Sequence, residues 1–149
     1  MIPDRFVTFQ FCDDIRQEVG NKYSLIGCYN GVVQIAPIPS VLPKLCAVVR
    51  IDTPITRPFK KLVARIIRDE KPIAEIAFPP EAFSIDPRLA PDGAQRHSLL
   101  AMFAMAPFPV EAPSTLRVEA ETEEGIISAG GFWIQAAAQA PVSPELASS

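Results

Sequence analysis

The chain has 149 residues, of which 48% are hydrophobic and 21% charged, with a formal net charge of −3. That is the size of one domain with a single core, and a sequence pI near 5.2 lacks the surplus of Lys and Arg that nucleic acid or an anionic membrane surface demands. No segment approaches the roughly 20 apolar residues of a membrane helix. The opening Met1-Ile2-Pro3-Asp4-Arg5 also lacks the basic start and apolar run of a secretory signal, which points to a cytoplasmic location.

Arg5 to Cys12 alternates Val7, Phe9 and Phe11 with Thr8, Gln10 and Cys12, the two-residue period of a strand. Asp13 to Glu18 reads as a polar connection to the turn pair Gly20-Asn21, and Lys22 to Tyr29 as the second strand. If the two pair as a hairpin, residue 12 falls opposite about residue 22, which separates Cys12 from Cys28 by roughly 20 Å, beyond disulfide reach. Cys12, Cys28 and Cys46 are then an odd set of thiols without close spacing, suited to a reducing compartment.

Val32 to Ile35 is a short apolar extension, and Pro37, Pro39 and Pro43 deny a central strand to the next passage. Lys44 to Thr53 is apolar on both faces and is expected to be central. Phe59 to Arg68, the turn Asp69-Glu70-Lys71 and Pro72 to Phe78 form a hairpin with Leu62, Ala64 and Ile66 on one face and Lys61, Val63, Arg65 and Ile67 on the other. Pro79 to Gln95 is a long proline-marked connection that Phe83 and Ile85 pin down. His97 to Met105 is a strand, and Pro107 to Pro113 links it to the last hairpin.

That hairpin is the clearest feature of the chain. Leu116, Val118, Ala120 and Thr122 alternate with Arg117, Glu119 and Glu121, Gly125 can take a positive φ at the turn, and Ile126 to Gln135 returns. Gly130-Gly131 marks a bulge beside Phe132 and Trp133, and both aromatic rings are expected in the core. With no helical period of ordinary length, residues 1–135 read as one all-β domain, a two-sheet antiparallel β-sandwich of about eight strands with an immunoglobulin-like or fibronectin-like layout. Residues 136–149 read as a flexible small-residue tail.

Phe9-Gln10-Phe11-Cys12-Asp13-Asp14-Ile15-Arg16, followed by Gly20-Asn21-Lys22-Tyr23-Ser24-Leu25-Ile26-Gly27-Cys28-Tyr29, resembles the opening of a family of small uncharacterised bacterial and phage all-β proteins. The resemblance implies a small domain of bacterial or phage origin and carries no activity, cofactor or site residues with it.

Charge is unevenly distributed. Lys44 to Lys71 holds eight basic and three acidic residues, a local +5, and Glu111 to Glu124 holds five acidic residues and Arg117, a local −4. The two can be satisfied within the fold, between copies or by a partner. The face of Lys61, Val63, Arg65 and Ile67 mixes cations with branched apolar side chains, an uncomfortable mixture for open solvent, and is the candidate interaction face.

Asp13 and Asp14 are a weak candidate for calcium, because two carboxylates supply only part of the 6 to 8 oxygens that the ion takes; turn capping and pairing with Arg16 or Lys22 is the plainer reading. His97 is the lone histidine, so a histidine-dependent hydrolase would have to use it. Neither a Gly-x-Ser-x-Gly elbow, a phosphate loop, HExxH nor Cys-x-x-Cys is present. The function expected is therefore a non-enzymatic module that binds a protein partner or itself, without a cofactor; a small-ligand or calcium-binding domain is the alternative.

Overall fold

Leu116, Val118 and Ala120 are completely buried while Arg117, Glu119 and Glu121 between them are only half-buried, the signature of a strand with one face in a core. The computed structural model describes residues 4–85 and 95–137. Among them lie eleven strands: β1 (Phe6–Glu18), β2 (Lys22–Cys28), β3 (Val32–Ile35), β4 (Ser40–Leu42), β5 (Leu45–Pro54), β6 (Leu62–Arg68), β7 (Lys71–Ala77), β8 (Arg96–Met105), β9 (Phe108–Val110), β10 (Ser114–Thr122) and β11 (Gly125–Ala136). One 3-10 turn spans Pro80–Phe83.

The all-β expectation holds. The strand count of about eight does not, because β3, β4 and β9 occupy stretches that read as an extension and as proline-marked links. The prolines are accommodated because β4 and β9 pair only with each other, so each keeps an edge that needs no further ladder partner.

The larger sheets have the orders β2-β1-β5-β8 and β3-β11-β10-β6-β7. Pairing is antiparallel except for the parallel pair β3 and β11. β5 is central, as its two apolar faces require: Leu45, Ala47, Val49 and Ile51 are fully buried on one side, and Cys46 and Val48 are buried on the other. A common core joins the inward faces of both sheets, with Phe11 of one stacked on Phe132 of the other at 4.4 Å between ring centres. Each of these rings contributes about 1.5 to 3 kcal/mol through burial.

The first hairpin corrects the sequence reading. Asp13 to Glu18 is strand rather than connection, so β1 runs six residues further and reverses through Val19, Gly20 and Asn21, with Glu18 opposite Lys22. Cys12 therefore faces Cys28, not residue 22. The far half of this hairpin doubles back over the outer face of its own sheet. Gln17 Nε2 reaches Met102 Sδ at 3.3 Å, and Tyr23 and Leu25 share a cleft with Thr8, Gln10, Val48 and Leu100. This flap is why Cys46 and Val48, on the outward face of β5, are buried.

The opposite end of the fold is fastened by Arg5. Its side chain is only 4% exposed and donates to Thr53 Oγ1 at 2.9 Å, to the Arg57 and Pro58 carbonyls and to Glu123 Oε2. Its guanidinium also lies 4.5 Å from the centre of the Phe59 ring. One cation thus ties the start of β1, the end of β5, the loop before β6 and the β10–β11 turn.

Phe83 packs against Phe59 at 6.4 Å and so holds the start of the long connection, as expected. Residues 86–94 of that connection and the expected tail from residue 138 onward lie outside the described residues. No helix among the described residues is long and apolar enough to cross a membrane.

Candidate interaction surface

Because β6 alternates, burying Leu62, Ala64 and Ile66 sends Val63, Arg65 and Ile67 to the outer face of the five-stranded sheet, with Lys61 just before the strand. β10 lies beside it in a register that sets Glu121 opposite Val63, Glu119 opposite Arg65 and Arg117 opposite Ile67. On the other flank, Glu75 of β7 lies opposite Arg65. Basic and acidic segments that are far apart in sequence are thereby interleaved side by side.

The result is a lattice of ion pairs. Arg65 donates to Glu75 Oε2 at 2.8 Å and to Glu121 Oε1 at 3.0 Å, and Lys61 pairs with the other oxygen of Glu121. Arg117 pairs with Glu119 and, at 3.4 Å, with Glu70. Lys61 and Arg65 hold the Glu121 carboxyl below the ordinary glutamate value, and Glu75 and Glu121 hold the Arg65 guanidinium above its own. The uneven charge of the sequence is therefore compensated to a large extent within the fold.

Ile67 is 3% exposed, beside a hollow lined by Asp69, Glu70, Thr115 and Arg117; its cover comes from the sheet's own side chains. Of the four residues expected to form the face, Val63 and Arg65 are half-buried, Lys61 is exposed and Ile67 is buried beneath neighbouring side chains of the same face.

Sequence reasoning misplaced the residue that dominates this surface. Phe132 is in the core, but Trp133 is 50% exposed on the outer face, opposite Thr115. Consecutive strand residues point to opposite faces, so the two rings cannot both be inward. The expected bulge is present: Arg117 faces Gly131 and Val118 faces Ala129, which leaves Gly130 as the extra residue. The indole passes within 3.6 Å of where a Cβ on Gly131 would stand, so that glycine leaves room for the ring to lie over the strand. Ile126, 58% exposed and opposite Glu121, sits farther along β11 on the same face.

The remaining candidates do not converge. Asp13 and Asp14 are neighbours within β1, not turn caps, and take separate partners other than Arg16 or Lys22. Asp13 accepts from the Tyr29 hydroxyl; Asp14 accepts from Lys44 Nζ at 2.7 Å and from the Ile15 N–H at 3.0 Å. Lys44 holds the Asp14 carboxyl below its ordinary value. Among the described residues no group of three His, Cys, Asp or Glu side chains is placed to hold a metal ion. His97 lies on β8 opposite Thr53, with its Nδ1 buried.

The three cysteines are free thiols aligned in one row across β2, β1 and β5, with Cys12 between Cys28 and Cys46. Cys12 and Cys46 are buried and Cys28 is exposed. Burial, with smaller contributions from the neighbouring thiols, pushes Cys12 up to about 11. No family model matches the chain, and the searches found no similar curated protein or solved structure.

Proposed function

We propose that the chain is a non-enzymatic interaction module, a small cytoplasmic protein of bacterial or phage type, which presents the outer face of its five-stranded sheet to a protein partner or to a second copy of itself. The reading is carried by Trp133 and Ile126, two large apolar side chains that stay about half-exposed on that face beside a lattice of paired charges. Tryptophan in such a setting is the side chain most often found to dominate an interface. Charges already paired with one another leave few ions to be desolvated without a partner when the face is covered.

Within this proposal the architecture is a two-sheet sandwich of the immunoglobulin-like or fibronectin-like kind. The shared core of the four-stranded and five-stranded sheets supports that assignment. The alternative of a calcium site at Asp13 and Asp14 gains nothing from the structure, in which Tyr29 and Lys44 take up the two carboxylates separately.

The test is native mass spectrometry over a concentration series, combined with capture of partners from a bacterial lysate, for the unaltered chain, Trp133→Ala and the double reversal Lys61→Glu/Arg65→Glu. A dimer or a captured partner that weakens about tenfold or more in the variants is expected, the scale of a lost interface anchor. A chain that stays monomeric and captures nothing, or an assembly that neither variant alters, would overturn the proposal.

A further inference from the structure

Cys12 and Cys28 occupy directly opposed positions on β1 and β2. The Tyr29 N–H donates to the Phe11 carbonyl at 2.9 Å, and this bond flanks the Cys12–Cys28 pair. Cys12 and Cys28 are thus at a position of the ladder that is not itself hydrogen-bonded, where the two Cα atoms stand about 4.5 Å apart and the side chains approach closest. A disulfide spans about 4.4 to 6.8 Å between Cα atoms. Along β1 the two kinds of position alternate, which makes Cys12 and Cys46 the wider, hydrogen-bonded pair.

Access differs along the row as well. Cys28 is exposed on the edge strand β2, whereas Cys12 and Cys46 are 0% and 1% exposed. A reagent in solution reaches the row at Cys28 and meets Cys12 next. We propose that Cys28 and Cys12 form a reversible thiol-exchange site, in which exposed Cys28 attacks a low-molecular-weight disulfide and Cys12 resolves the resulting mixed disulfide into an intrachain bridge.

The chemistry balances as follows. The Cys28 thiolate attacks one sulfur of the small disulfide, so that a mixed disulfide forms and one small thiolate leaves. Cys12 gives up its proton to solvent and its sulfur attacks the Cys28 sulfur. The Cys12–Cys28 bond forms as the bond from Cys28 to the small thiol breaks, and the second small thiol leaves. Two electrons pass from the protein dithiol to the small disulfide. Because burial keeps Cys12 protonated, the second step is the slower one and Cys28 is the initiating residue.

The bridge would lie at the root of the flap, joining β1 and β2 where the hairpin begins to double back over Cys46, Val48 and Met102. Oxidation therefore restrains the flap against opening, and reduction releases it.

The experiment treats the full native chain with excess oxidised glutathione at mildly alkaline pH, quenches with acid, and measures intact mass and a non-reducing digest. The expected result is a loss of about 2 Da, for the two hydrogens given up, a peptide linking Cys12 to Cys28, and recovery of both thiols with dithiothreitol. Cys46→Ser keeps the bridge and Cys28→Ser loses it. Hydrogen exchange across residues 15–25 slows in the oxidised chain. A lasting glutathione adduct on Cys28 with Cys12 still a thiol, or a bridge between Cys12 and Cys46, would overturn the proposal. Both outcomes are read on the unaltered protein, so neither depends on a variant that folds.

Discussion

Gly27 lies so close against Asp13 that a Cβ on residue 27 would stand 2.2 Å from the Asp13 Oδ2. Asp13 crosses over Gly27 to accept from the Tyr29 hydroxyl, and Gly27 itself has a φ of +67°. Both the space and the backbone thus require glycine. Gly27→Ala is expected to cost about 2 to 3 kcal/mol in urea unfolding. Gly20→Ala, at a φ of +87° with open space around it, carries only the backbone cost of about 1 kcal/mol. Equal costs for the two variants would show that the Asp13 contact is unimportant.

Arg5 is the side chain whose removal should damage the fold most at the end away from the flap. Arg5→Met keeps much of the aliphatic packing but leaves the partly buried Glu123 carboxylate, Thr53 Oγ1 and two backbone carbonyls without their donor. A loss of about 3 kcal/mol is expected, the low end for breaking a buried pair because Glu123 is partly solvated. Chemical denaturation of the two proteins side by side measures it.

Acid should unfold the chain through three carboxylates held below their ordinary values. Lys44 does this for Asp14, and Lys61 with Arg65 for Glu121. At Glu123 burial works the other way but is outweighed by the Lys60 N–H and Arg5. A depressed folded pKa gives stability that is complete above the unfolded value, near 4 for these groups, and is lost as pH falls through the folded value. The urea midpoint is expected to stay level down to about pH 5 and then to fall. In Glu123→Gln part of that fall should disappear; a midpoint level down to about pH 3 would refute the assignment.

Alkali acts on different groups. Cys12 is pushed up to about 11 by burial, and Tyr29 to about 12 by burial and by its bond to Asp13. Such a raised acid keeps its proton in the folded chain after the unfolded chain has lost it. Stability should decline from about pH 9 upward. At neutral pH, iodoacetamide should label Cys28 in the native chain within minutes and Cys12 and Cys46 only on unfolding. Rapid native labelling of all three would contradict the cover that the flap provides.

Much of the fold was legible locally. The two-residue period of Leu116 to Thr122 and the turn before Gly125 specify β10 and β11, and the two apolar faces of β5 specify a central strand. A strand with one buried face writes its period into the sequence. β1 beyond Cys12 did not: Asp13, Asp14, Arg16, Gln17 and Glu18 have the composition of a loop, because this hairpin packs over a sheet rather than inside one and keeps its polar groups in solvent.

Sequence by itself therefore determined the strand class, the central position of β5 and the bulge at Gly130, all consequences of local backbone preference and side-chain alternation. Only the tertiary structure decided that Cys12 faces Cys28 and Cys46, that Arg65 lies between Glu75 and Glu121, and that Trp133 points outward while Phe132 is buried. Register is a relation between strands, set by the position of the turn and by which faces find a partner, and a shift of a few residues in one turn moves every cross-strand neighbour while local composition stays the same.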